Sequence, residues 1–407
     1  MSAVPGGPVQ DGVGGAAACG AAADGVDWVG ALRLARLATP AGPRVPGADR
    51  RGIVVLLRRS AEDALPWAAQ ITGMSRAGRL AAQTMRVLVV DRAGLQRANA
   101  AFLRTLMGRV PEPAGSRAGV PDGVGRAAVT GAVAGLLGLV STRVLGQVLP
   151  AGAEPGEGGG VDAGAGAGAA HQASPDPAQG AAAGPGAGAV AGAVRMLLVA
   201  PNVLGVQREW DLDRLDLPAW VALHEAAHVL QLTAAPWLAD YLAAQVVEVA
   251  DALVRLPEPG EPRGVSRLVR ALRSGTAAGP EALSPLLADR LGAAERERLA
   301  AVAATMALLE GHAEAVLDAV EPSRMPSVHR LRAVLRHSRD GAAATVLERL
   351  LGAEAKRAQY VDGAEFVRAV VDRVGHAGLN VVWRAPENLP RPEEIARPEA
   401  WIERLGL

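Results

Sequence analysis

The stretch Trp220-Val-Ala-Leu-His224-Glu225-Ala-Ala-His228-Val-Leu-Gln231 decides how this chain is read. Asp216-Leu-Pro218 before it is a helix-start pattern with proline in the first turn, and Pro236 after it stops a helix. Nothing in between breaks one, so a helix is expected to about Thr233. Residues four apart on a helix differ by about 40° in azimuth and about 6 Å in rise. His224 and His228 therefore leave one face and can share an ion, and zinc accepts neutral imidazole at about 2.0–2.1 Å. Glu225 follows the first histidine directly and lies beside such an ion rather than on it. There it can take a proton from an attacking water and pass it to a leaving group. The plain alternative is two helix-face histidines with ordinary hydrogen bonds. With seven histidines in 407 residues, this H-E-x-x-H spacing arises by chance in roughly one such chain per hundred.

A catalytic zinc usually takes a third protein ligand. An extended motif would need Gly at 231 and His at 234; the chain has Gln231 and Ala234, which excludes it. The better candidate is Leu308-Leu-Glu310-Gly311-His312-Ala-Glu314, inside an apolar helix expected over Leu299 to Val320. Glu310 and Glu314 share a face by the i, i+4 rule, together with Met306 and Leu317, so that face is expected to point inward. Two buried carboxylates need positive partners, which a dication supplies. Glu310 is the expected third ligand, and Glu314, one turn on, the expected acceptor for a ligand imidazole N–H. The reverse assignment is open, as is an exposed acidic turn. Gly311 allows close approach by a second helix. His312 points off this face and reads as structural. Tyr360 is the candidate donor to a developing oxyanion, against the alternative of a buried helix tyrosine. Among the other histidines, His171 lies in an Ala/Gly tract, His329 and His337 in an Arg-rich helix, and His376 at a helix end, where a cation suits the dipole.

The rest of the chain sets limits. Half of it is hydrophobic and 21% is charged, as in a soluble globular protein, and only 3% is aromatic. A core of Leu, Val and Ala follows, which favours helices. Lys+Arg 42 balances Asp+Glu 42, which argues against a general nucleic-acid or anionic-membrane binder. Lys356 is the single lysine among the basic residues, which with the Ala/Gly/Pro excess reads as GC-rich coding. The lone cysteine, Cys19, excludes an internal disulfide and a multi-cysteine metal site. No signal-peptide pattern is visible near the start, and the apolar stretch Ala127 to Val140 is short for a membrane span, so a cytoplasmic protein is expected.

Residues 1–25 read as a disordered tail, 26–149 as an N-terminal helical part, 150–193 as a flexible Ala/Gly/Pro insertion, and 194–407 as the part that carries the site. Helices are expected from Asp27, over Arg51 to Leu65, over Leu65 to Met74 and over Leu95 to Met107. Val87 to Val90 is a short apolar piece between them. Thr130 to Val148 reads as a packing helix whose Gly131, Gly135 and Gly138 admit close neighbours. Arg195 to Asn202 reads as a strand ending in a turn. Pro326 opens another helical block, to Gly375. Trp383 and Trp401 anchor a Pro-rich end.

These motifs together resemble the zincin-like metallopeptidases (type 2), a family often associated with deazaflavin coenzyme biosynthesis in actinobacteria. The resembling pieces are Leu197-Leu-Val-Ala-Pro-Asn202, Trp220 to His228 with Pro236-Trp-Leu238, and Leu309 to Glu314 with Leu317-Asp-Ala-Val320. Pro326-Ser-Val328, Lys356-x-x-Gln-Tyr360, Asn380-Val-Val-Trp383, Pro386-Glu387 and Leu389-Pro390 continue the likeness. It also touches Asp27-Trp28 and Ser141 to Gln147, and the tract at 151–193 departs from it. The resemblance implies a mainly α, zincin-like helical fold with few short strands, centred on the H-E-x-x-H helix. It implies no particular substrate. The expectation is thus a zinc-dependent (Zn2+) hydrolase, foremost a peptidase, with a peptide or small amide as substrate and no nucleic-acid or membrane partner. His224, His228 and Glu310 would hold the metal, with Glu225 as base. The rival is a catalytically silent zincin-fold binding or scaffold protein linked to coenzyme metabolism.

Overall fold

The computed structural model describes residues 25–109, 123–150, 193–255, 292–339 and 363–407. The expected tail, most of the Ala/Gly/Pro tract and Tyr360 lie outside the described residues. Among those described, three short strands are set in a largely helical body, so the fold is mainly α, as expected.

The first helices are α1 (Trp28–Ala38), α2 (Gly47–Thr72) and α3 (Ser75–Thr84). Asp27 caps α1, its carboxylate accepting from the Gly30 N–H at 2.9 Å. The two helices expected on either side of Leu65 are one, with Pro66 inside it. Proline removes a single backbone donor. The flanking turns are held by Leu57, Ala61, Ala64, Leu65, Ala68 and Ala69, all buried, so packing outweighs the local break.

Strand β1 (Arg86–Val90) leads into α4 (Arg92–Met107) and α5 (Gly123–Arg143), and β2 (Gly146–Pro150) follows. The packing helix expected to reach Val148 therefore ends at Arg143 and becomes a strand. Among the described residues, a Cβ on Gly131 or Gly135 would meet nothing within 4 Å. Neither glycine serves a close helix contact there; only Gly138 does, with Thr39 Oγ1 at 3.2 Å.

Strand β3 (Val194–Val199) runs directly into α6 (Ala200–Glu209) rather than into a turn, with Pro201 in the first helical turn, where it is tolerated. All six residues of β3 are buried. The sheet order is β1-β3-β2, with β1 parallel and β2 antiparallel to β3. Both faces of β3 are therefore covered, and β2 is an edge.

Helix α7 (Asp216–Ala234) carries the motif and is apolar nearly all round, which makes it a central helix. Asp213 Oδ1 accepts from the Leu215 and Asp216 N–H groups at its start. Asp216 in turn accepts from the Ser327 N–H and hydroxyl at 2.8 and 2.7 Å, tying this start to α10 (Val328–Arg339). Helices α8 (Leu238–Arg255) and α9 (Ala293–Asp318) follow α7. By length and composition α9 is apolar enough to cross a membrane. Here Ala304, Leu308, Leu309, Ala313, Val316 and Leu317 are spent on the main core, with Leu217, Leu223 and Leu230 of α7.

The chain closes with α11 (Gly363–Leu379), two short 3-10 turns (Asn380–Arg384 and Pro386–Asn388), α12 (Pro392–Ile395) and α13 (Pro398–Leu405). Helix α11 kinks at Gly375, where φ is 68°. Trp383 and Trp401 are buried as expected, the latter edge-on to Phe366 with ring centroids 5.8 Å apart. Gly311 does mark a close helix approach, but to α11 and not to α7. A Cβ there would lie 2.1 Å from the carbonyl carbon of Gly363, and one on Gly363 would lie 1.9 Å from the Ala307 oxygen.

Candidate metal centre

The helical spacing of His224 and His228 brings their Nε2 atoms to 3.1 Å, with the rings edge-on. Helix α9 packs on α7 and carries Glu310 to the same point. Its Oε2 lies 3.5 Å from His224 Nε2, and its Oε1 lies 3.6 Å from His228 Nε2. The three donor groups lie within 4.8 Å of one another and could hold a metal ion. Two imidazoles and a carboxylate are a donor set that suits a divalent ion of the zinc type. The two imidazole nitrogens are 3.1 Å apart, and each lies within 3.6 Å of a different oxygen of the one carboxylate, close enough for the three groups to converge on a single ion. His224 and His228 are mostly covered, while the Glu310 side chain keeps 45% of its exposure. The expectation of a buried carboxylate face is thus not met. Glu310 stands at the solvent-facing side of the three groups.

Glu225 is buried, at 5% exposure, and β2 lies against it. A Cβ on Gly146 would come within 2.6–2.7 Å of the Glu225 Cγ, Cδ and Oε1. The first residue of the edge strand must therefore lack a side chain for the carboxylate to occupy its place.

Beyond the ligands, the outer ring nitrogen of His228 is met by Gln231, not by Glu314. His228 Nδ1 and Gln231 Oε1 are 2.9 Å apart. The Gln231 amide nitrogen reaches the Leu309 carbonyl at 2.9 Å and His312 Nδ1 at 3.0 Å. Gln231 and His312 are both essentially inaccessible. Burial above all, with the neighbouring His376 and His228 rings, pushes His312 down to about 3, so it is neutral. Its ring packs against Trp383, centroids 5.4 Å apart. His312 is thus structural, as expected, but it belongs to the shell behind the site. Glu314 is half-buried one turn beyond Glu310. Burial also lowers His376, which argues against its expected role as a cation at a helix end.

Sequence reasoning missed Gln231 and Gly146 as parts of this site. Gln231 had a readable signal: it lies three residues beyond His228, on the same face of the helix. Gly146 had none, because only the tertiary fold places it 79 positions from Glu225 in contact with that residue.

The chain is similar to a solved structure from Chloroflexus aurantiacus, described as that of a candidate hydrolase with a novel fold, at 22% identity and a TM-score of 0.55. The match covers 94% of this chain and 99% of that one, and at such identity it establishes a shared fold. No curated protein matches the chain. The description of the zincin-like metallopeptidases fits residues 26–402. With nearly its whole length matched, this chain belongs to the zincin-like metallopeptidase family.

Proposed function

We propose that the protein is a zinc-dependent hydrolase that cleaves amide bonds in peptides. The observation that carries this reading is the convergence of His224, His228 and Glu310 on one point, with Glu225 buried beside it. Family membership supports a metal-dependent hydrolase in general; the metal's identity, the peptide substrate and the residue roles are inferred from the site.

His224 Nε2, His228 Nε2 and the Glu310 carboxylate would hold the ion. A zinc ion bound there would supply Lewis acidity, lowering the pKa of a water and polarising the scissile carbonyl. Glu225 accepts a proton from the water whose oxygen bonds to the carbonyl carbon. It then delivers that proton to the leaving nitrogen as the C–N bond breaks. Burial against Gly146 restricts its rotamers, so little reorientation is needed between the two transfers.

Strand β2 favours a peptide over a small amide. The Val199 N–H bonds to the Leu145 carbonyl, and the register pairs Gln147 with Leu197. Antiparallel alternation then turns the backbone N–H and C=O of Gly146 and Val148 away from β3. Among the described residues no strand pairs with that edge. An extended peptide can add there as a further strand, which would lay its backbone beside Glu225.

The test is cleavage of a peptide library by the zinc-loaded protein, followed by mass spectrometry. Chelator-sensitive cleavage of internal peptide bonds, absent in Glu225→Gln, is expected. A zinc-loaded protein that cuts no peptide, or a Glu225→Gln variant that cuts equally well, would overturn the reading.

A further inference from the structure

Gln231 is buried between three partners, and one of them removes the ambiguity of its amide. The Leu309 carbonyl can only accept, so the Gln231 atom 2.9 Å from it is the NH2 nitrogen. The other end of the amide, 2.9 Å from His228 Nδ1, is therefore the carbonyl oxygen. Because that oxygen can only accept, His228 Nδ1 must carry a hydrogen. In the neutral ring this leaves the lone pair on Nε2, the atom that faces His224 and Glu310. The second N–H of the amide points to His312 Nδ1 at 3.0 Å, which must then accept, so the His312 proton sits on Nε2. A backbone carbonyl thus orients the amide, and the amide sets the tautomers of two histidines.

The same side chain joins the two elements that bring the ligands together. Gln231 lies one turn beyond His228 on α7, and the carbonyl it grips belongs to Leu309, directly before Glu310 on α9. Loss of that grip would free both the ring orientation of His228 and the register of the peptide that bears Glu310.

We infer that Gln231 is the positioning residue of the metal centre: it holds His228 in the Nδ1–H tautomer and clamps the Glu310 segment against the histidine helix, with the Leu309 carbonyl fixing the direction of its amide. The inference rests on the proposed assignment of His228 and Glu310 as ligands. Its acceptor is a neutral amide, not a carboxylate, so it orients His228 without adding negative charge behind the ring.

The test uses the full-length, metal-free protein labelled with 15N-histidine, kept above the ordinary imidazole pKa, and zinc competition against a chromophoric chelator. In the wild type, long-range 1H–15N correlations should show His228 as the Nδ1–H tautomer and His312 as Nε2–H. An Nε2–H tautomer at His228 would overturn the inference, and this readout needs no variant. Gln231→Met keeps volume but removes the acceptor. It should make His228 a tautomer mixture and weaken zinc binding about 10–100-fold. Gln231→Glu restores an acceptor to Nδ1 and should recover at least half of that loss on a logarithmic scale. A Gln231→Met variant that binds zinc within about threefold of the wild type with an unchanged tautomer would contradict it. Failure of the ligand assignment looks different: His228→Ala would then bind zinc as the wild type does.

Discussion

A Cβ placed on Gly146 would lie 2.6 Å from Cγ of Glu225 and 2.7 Å from its Oε1. The edge strand and the candidate base thus occupy adjoining space with no room for a methyl group. Gly146→Ala should push the carboxylate aside, leave zinc stoichiometry near the wild-type value and lower kcat at least tenfold, since misplacement by about 1 Å can cost about 10²-fold. Steady-state kinetics with elemental analysis of the same sample checks this. An unchanged kcat would mean that Glu225 does not act from this position.

Ligand and base should separate cleanly. His228→Ala removes a donor atom and should lose the metal. Glu225→Gln should retain it while turnover falls by about 10²–10⁴-fold, the usual contribution of a general base. Metal content and turnover are measured on both variants. A metal-free Glu225→Gln protein would show that Glu225 is a ligand.

Two classes of glycine should respond oppositely to alanine. Gly311 and Gly363 form the α9–α11 crossing, where a Cβ would meet backbone at about 2 Å. Gly311→Ala should destabilise by about 1–3 kcal/mol or more, as in other overpacked interiors. Gly131 and Gly135 are exposed mid-helix positions with nothing described within 4 Å, so alanine there should stabilise by about 0.5–1 kcal/mol. Chemical denaturation of the variants provides the comparison.

The C-terminal segment should carry an acid-sensitive clamp. Burial alone would raise the Glu394 carboxyl. The Arg404 guanidinium and the Arg391 N–H outweigh it and hold the group below the ordinary carboxylate value. A depressed folded-state pKa gives stability that is present above the unfolded value and lost as pH falls through the folded one. Glu394→Gln should therefore lower the thermal midpoint at neutral pH, and the difference from wild type should shrink as the pH drops below the usual carboxylate range. A pH-independent difference would show that the clamp acts through packing alone.

Much of this architecture is legible in the sequence where the signal is local. The motif helix, bounded by Asp216 and Ala234, is marked by its proline-bearing start and by Pro236. The mainly helical body follows from a Leu/Val/Ala core. Local rules failed where packing decides. Pro66 does not end α2, because Leu57, Ala61, Ala64, Leu65, Ala68 and Ala69 are buried on either side of it. The run from Gly146 to Pro150 continues no helix, because β3 offers it a ladder that only the folded chain assembles. The pairing of Gly311 with Gly363 and of Gly146 with Glu225 spans too many residues for any periodicity to show. In the site, i, i+4 spacing brings the two histidines together, but the meeting with Glu310 is a tertiary contact across 82 positions. The carboxylate's half-exposed place and the Gln231 link came from that contact, not from the motif.

The central claim is that His224, His228 and Glu310 together hold one zinc ion. Anomalous diffraction from crystals of the zinc-loaded protein, collected on both sides of the zinc absorption edge, tests it most directly. The account predicts a single strong peak about 2.0–2.2 Å from the two Nε2 atoms and from a Glu310 carboxylate oxygen. A peak elsewhere, no peak at this position, or an ion bound by the histidines with Glu310 turned away would contradict it.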